Sequence, residues 1–121
     1  MENYVKIFKA LSDRTRVRIM RLLLGCGREL CICEITDSLA LEQYKISKHI
    51  KELRVAGLLK ERKCGRYVLY SLVKNEDDFR RSLFGAVRCV GGRVTREDAK
   101  RLAKSMKSRR KDPHFACAVN R

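Results

Sequence analysis

The stretch Glu29–Leu59, ELCICEITDSLALEQYKISKHIKELRVAGLL, decides the fold. Its opening carries two cysteines one residue apart, Cys31 and Cys33. Its second half sets Ile46, Ile50 and Leu53 at helical spacing, the apolar stripe of an amphipathic helix. Tyr44, Lys45, Ser47, Lys48, His49 and Lys51 occupy the other sides, a polar and basic face of the size that enters a DNA groove. Just upstream, Ile35 and Leu39 mark a short helix, broken around Ala40-Leu41-Glu42. Two short helices about a tight turn, the second amphipathic and basic, make a helix-turn-helix pattern.

Upstream, Tyr4, Ile7, Phe8 and Leu11 fall on one face of a first helix. Ser12-Asp13 supplies a cap for a second helix, with Val17, Met20 and Leu24 as its stripe and Gly25 and Gly27 as its end. Downstream, Leu58 to Leu72 predicts a hairpin with Cys64-Gly65 at the centre of its turn and Val68, Tyr70 and Leu72 alternating on the return strand. Arg62, Lys63 and Arg66 ring the tip, so the hairpin is a basic wing placed to meet backbone phosphate. Asn75 is the expected cap of a fifth helix with the stripe Phe79, Leu83, Ala86 and Val90, broken by Gly91-Gly92. Thr95 with Asp98 predicts a capping box for a sixth helix carrying Ala99, Leu102, Ala103 and Met106.

The expected architecture is mainly α with a β-hairpin, a winged helix-turn-helix over residues 1–107 followed by a basic flexible tail over 108–121, in which Arg109-Arg110-Lys111 is solvated. The half-exposed apolar stripes predict a homodimer through the first and the fifth and sixth helices.

Composition narrows the partners. A chain of 121 residues is one small domain, and its net charge of +15 calls for a polyanion. No run reaches the roughly 18 apolar residues of a membrane span, and the opening Met1-Glu2-Asn3-Tyr4 does not read as a secretory signal. A cytoplasmic protein with no membrane partner is expected. Six irregularly spaced cysteines in a reducing compartment are thiol ligands, redox sensors or small buried hydrophobes rather than a disulfide framework. An enzyme is not expected. The spacing is C-x-C rather than C-x-x-C, and two histidines remote from the cysteines complete no nucleophilic triad. Neither an organic cofactor nor a small-molecule substrate is expected. A basic RNA-binding factor would explain the charge and leave the cysteine pair without a purpose.

Geometry constrains that pair. Residues two apart on a regular α-helix point about 200° away from each other. The sulfurs of Cys31 and Cys33 therefore meet only if the backbone there is extended or the helix start is distorted. An ion held by both would deform the first turn of the helix that packs beneath the reading helix.

Three stretches carry a family resemblance. Phe8–Leu23, FKALSDRTRVRIMRLL, resembles the opening helices of the ArsR/SmtB family of metal-responsive winged-helix repressors, although many members have proline at the place of Arg14. Glu29–Ile35, ELCICEI, is similar to that family's arsenic-repressor box, ELCVCDL, and Lys45–Leu72 resembles its reading helix and wing. The resemblance implies a homodimer on an inverted-repeat operator in double-stranded DNA, released when As(III) or Sb(III) is held by three thiolates. Two of these carry over onto Cys31 and Cys33. A third cysteine that follows in some members is Thr36 here, which leaves that ligand open among Cys26 (the nearest in sequence), Cys89, Cys64 and Cys117. Zinc-responsive relatives use the C-terminal dimer helix, where Glu97, Asp98 and His114 show no ligand spacing, and cadmium- and lead-responsive ones add cysteines from an N-terminal extension. Those differences favour arsenite or antimonite over cadmium, lead or zinc. A persulfide or disulfide switch pairing Cys26 or Cys31 with Cys89 is the alternative on the same scaffold.

Overall fold

A computed structural model describes residues 1–74 and 77–119, apart from the side chains of Cys117 and Ala118. Along the chain the elements are α1 (Glu2–Leu11), α2 (Arg14–Cys26), β1 (Leu30–Cys31), α3 (Ile32–Leu39) and α4 (Gln43–Val55). They continue as β2 (Leu59–Cys64), β3 (Tyr67–Leu72), α5 (Asp78–Arg88), α6 (Arg93–Arg109) and α7 (Pro113–Val119). This is a winged helix-turn-helix.

The stripes read from sequence make the core. Ile19, Met20 and Leu23 of α2 meet Ile35 and Leu39 of α3 and Ile46, Ile50 and Leu53 of α4, all removed from solvent. Asp13 caps α2 by accepting the Arg16 N–H at 3.1 Å. Gly27 ends α2 in the left-handed region at φ 63°. Gly25, expected to share that role, lies inside the helix instead. The Arg21 side chain crosses it so closely that a Cβ there would stand 2.7 Å from Nη1. Between α3 and α4 the chain reverses at Ala40, whose N–H donates to the Thr36 carbonyl at 3.0 Å.

The wing differs from expectation by one residue. Cys64 pairs with Tyr67, so the two-residue turn is Gly65-Arg66 rather than Cys64-Gly65. Gly65 has φ 60°, the conformation a hairpin needs at its first central position. A third strand was not foreseen. Leu30 and Cys31 pair antiparallel with Tyr70 and Leu69, giving the sheet order β1-β3-β2.

At α5 the expected cap, Asn75, lies outside the described residues, and Asp77 caps the helix by accepting the Arg80 N–H at 2.7 Å. Val87 is its buried residue, while Val90, expected on the stripe, lies beyond the helix and is exposed. The capping box at α6 does not form. Thr95 Oγ1 donates back to the Gly92 carbonyl, and Asp98 is turned inward instead. There it accepts Arg18 Nε at 2.9 Å and Nη2 at 2.7 Å, together with Arg101 Nη2 at 2.8 Å. A carboxylate with two guanidiniums available inside the fold is held more strongly there than at a solvated helix end.

Residues 108–119, expected as part of a frayed basic tail, lie in α6, α7 and the turn between them. The last turn of α6 runs to Arg109, and α7 lays Phe115, 2% exposed, against Cys31 and Leu69. Two acids on the short α3, Glu34 and Asp37, receive Arg110 and Arg109, and this pairing is what holds the segment down. Among the described residues no helix is long and apolar enough to cross a membrane.

Replacing Asp98 by alanine should lower stability by about 3 kcal/mol, since it strands Arg18 without a counter-charge in a poorly solvated place. The loss would register as a lower urea midpoint at unchanged slope. A midpoint that did not move would mean the pair contributes nothing.

Candidate functional site

The cysteine pair sits where a strand becomes a helix. Cys31 closes β1 with extended backbone, φ −79° and ψ 159°, and is also the N-cap of α3. Cys33 stands in the first turn. The change of direction overcomes the helical divergence of residues two apart, and the two sulfurs are joined as a disulfide across a Cα–Cα separation of 5.4 Å. Cys31 is 1% exposed and Cys33 half-buried, under a cover made by Leu69, Phe115 and Tyr67.

A buried carboxylate organises this junction. Glu34, with no exposed surface, accepts the Cys31 N–H at 3.0 Å. The same carboxylate accepts Arg110 Nε at 2.9 Å and Nη2 at 3.2 Å, and Arg110 also donates to the Glu29 carbonyl at 3.0 Å. One turn on, Asp37 accepts Arg109 Nε and Ser105 Oγ, each at 2.7 Å. The Arg109 hydrogen bond holds the Asp37 carboxyl below the ordinary carboxylate range, against the opposing effect of partial burial.

The other thiols stand apart. Cys26 is half-buried at the end of α2, 3.6 Å from the Leu23 and Arg28 carbonyls, and burial pushes its pKa up. Cys89 is exposed at the end of α5, and Cys64 closes β2. Among the described residues no three His, Cys, Asp or Glu side chains are grouped to hold a metal. The Cys117 side chain lies outside the described residues.

On α4, Tyr44, Lys45, Ser47, Lys48 and Lys51 are all exposed on the side away from the core. Lys48 Nζ stands 5.7 Å from the centre of the Tyr44 ring. His49, expected beside them, is turned toward α2, where its Nδ1 accepts Arg16 Nε at 3.1 Å. Asp13 is 3.7 Å from the same nitrogen. Both contacts hold the ring toward the start of α2. Arg62 is likewise engaged, its guanidinium forked onto Glu29 at 2.7 and 3.0 Å. That contact holds the Glu29 carboxyl below its usual range and ties the wing to the approach of β1. Lys63 and Arg66 stay exposed at the tip.

The family description "Bacterial regulatory protein, arsR family" matches residues 13–61. A curated relative, an uncharacterized HTH-type transcriptional regulator of Methanocaldococcus jannaschii, is 43% identical over 76 residues, 60% of this chain and 84% of the relative. The chain belongs to the arsR family. Similar to it also is the Arsenic resistance transcriptional regulator ArsR1 of Pseudomonas putida, 50% identical over 66 residues, 54% of this chain and 51% of that protein. The chain thus spans about half the length of that arsenic-resistance relative. Among solved structures, HlyU from Vibrio cholerae is 30% identical, with a TM-score of 0.62 over 74% of this chain and 95% of HlyU. These arsR-family relatives are transcriptional regulators rather than enzymes, in line with the lack of a nucleophilic triad in the sequence.

Sequence reasoning missed Glu34, Arg110 and Phe115. Glu34 had a signal, since it follows Cys31 at the spacing by which a side chain reaches back to the N-cap N–H. Phe115 had a fainter one, a lone aromatic in a basic tail.

Asp37 yields an acid prediction. A carboxyl depressed on folding contributes stability that is complete above its unfolded value of about 3.9 and is lost as pH falls through the lower folded value. The stability difference between the wild type and Asp37→Asn should therefore be present at neutral pH and shrink as pH falls below about 3.9 in urea titrations. A difference independent of pH would show that charge is not what holds Arg109.

Proposed function

We propose that this arsR-family chain is a homodimeric, cytoplasmic repressor that binds an inverted-repeat operator and leaves it when As(III) or Sb(III) is bound by the thiolates of Cys31 and Cys33. The observation that carries this reading is the convergence of two sulfurs at the strand–helix junction that begins α3, the helix packed against the reading helix α4. The donor set suits the ion, because paired thiolates select soft, thiophilic ions over hard ones. Trivalent arsenic would supply strong bonds to sulfur and a fixed separation between its ligands.

The rest is done by the chain. With its thiols reduced, the backbone from Leu30 to Glu34 can take the shape suited to α3 on the operator. Fixing the two sulfurs selects a different shape, and α3 passes the change to α4 through Ile35, Leu39, Ile46 and Ile50. Tyr44, Lys45, Ser47, Lys48 and Lys51 are assigned to the operator, with Lys63 and Arg66 on flanking phosphate. His49 and Arg62, both engaged within the fold, position α4 and the wing instead. Tyr4 and Phe8 are 48% and 57% exposed and meet Phe79 edge-on at 4.8 and 5.6 Å. This aromatic patch on α1 and α5 is assigned to the dimer interface.

The disulfide favours one second reading, a redox response on the same residues. There the two thiols would lose two electrons and two protons to an oxidant such as hydrogen peroxide, which is reduced to water. The pairing would be Cys31 with Cys33 rather than either with Cys89. Serine at Cys31 or Cys33 should leave operator binding intact and abolish release by arsenite under anaerobic conditions. Release of the wild type by peroxide but not by arsenite would select the redox reading, and full arsenite release of both variants would overturn the proposal.

Lys48→Ala should weaken operator binding and reduce the slope of log affinity against log salt by about 0.9, the loss of one phosphate contact. Arsenite binding should be unaltered. Unchanged affinity and slope would place the reading surface elsewhere.

A further inference from the structure

One segment outside the thiol pair and the reading surface lies over the pair. The arsR-family match ends at residue 61, whereas the pair is covered by residues far beyond it. Phe115 of α7 is 2% exposed and belongs to a small apolar cluster of its own with Cys31 and Leu69, separate from the main core. Its ring meets Tyr67 edge-on at 4.9 Å, which closes the cover on the wing side. Arg110 stands 5.6 Å from the same ring and reaches Glu34, whose carboxylate holds the Cys31 N–H. Tyr67 Oη donates to Asp112 at 3.1 Å, pinning the turn between α6 and α7.

We infer that the segment Arg109–Val119 is part of the sensor: Phe115 is the gating residue over the Cys31–Cys33 pair, and the Arg110–Glu34 contact couples its closure to the shape of the junction. The inference deepens the proposed function and rests on it only for the identity of the ion. Cys31, 1% exposed in the disulfide form, can meet a reagent after reduction only when its cover moves. The segment that must move is held by a separate small cluster and by ion pairs, so it can open without unfolding the main core. Entry of a thiophilic ligand is then governed by opening of this segment. Removal of the Arg110 charge leaves Glu34 buried with only the Cys31 N–H and loosens cover and junction together.

The test is alkylation of the fully reduced protein by N-ethylmaleimide under anaerobic conditions, followed cysteine by cysteine by mass spectrometry. Phe115→Ala should speed modification of Cys31 by at least about ten-fold while exposed Cys89 serves as the unchanged control. Arg110→Gln should move Cys31 in the same direction, and circular dichroism should show both variants folded. Arsenite association, followed by sulfur-to-arsenic absorbance, should accelerate in parallel. Equal Cys31 rates in the wild type and Phe115→Ala would overturn the inference. If arsenite fails to bind any of the proteins while the alkylation contrast holds, the cover stands and the identity of the ion is what fails.

Discussion

One carboxylate with no solvent contact binds the strand–helix junction at the cysteine pair to the C-terminal segment. Glu34 receives a backbone N–H from the strand–helix junction and a guanidinium from beyond the sixth helix. Burying a charged carboxylate is expensive unless its hydrogen bonds are met, and removing one partner of such a pair costs more than the pair contributes. The Glu34–Arg110 contact therefore acts less as a source of stability than as a constraint. It ties the shape of the junction to the seating of the C-terminal segment.

That tie accounts for where the thiol pair sits. On a continuous helix two cysteines with one residue between them could not share a ligand. Here the first closes a two-residue strand and the second lies in the following turn of helix, so their sulfurs converge. The strand exists because β3 offers Leu69 and Tyr70 as partners, which links the pair to the wing. The wing is tied back by Arg62 on Glu29, directly ahead of the pair. The cysteine pair is thus in contact with the wing through β1 and β3, and with α4 through α3.

The main body of the fold was legible in the sequence because helical periodicity reports burial. Ile46, Ile50 and Leu53 read as a stripe and pack as one, and so do Met20, Ile35 and Leu39. The resemblance to the arsenic-repressor box singles out Cys31 and Cys33, whose sulfurs the fold brings together. What escaped were interactions set by the meeting of distant segments. Thr95 and Asp98 have the spacing of a capping box, yet Arg18, 80 residues away in sequence, claims the carboxylate. Arg109 and Arg110 read as a solvated charge run because nothing local neutralises them, and their partners Asp37 and Glu34 lie on another helix. His49 and Arg62 look like nucleic-acid contacts by type and place, and each also has a partner within the fold, Arg16 and Glu29, that no local pattern announces. Sequence pattern identifies which face of an element is apolar but not which charged side chain a remote one will engage.

The central claim is that a ligand on the two box sulfurs reshapes the β1–α3 junction and, through it, the reading helix. Amide hydrogen exchange of the reduced protein, with and without arsenite, tests it most directly. The account predicts altered protection from Leu30 to Ile35 together with a matching change in α4, both absent when Cys33 is serine. Operator release by arsenite with exchange unchanged in those two segments would contradict it.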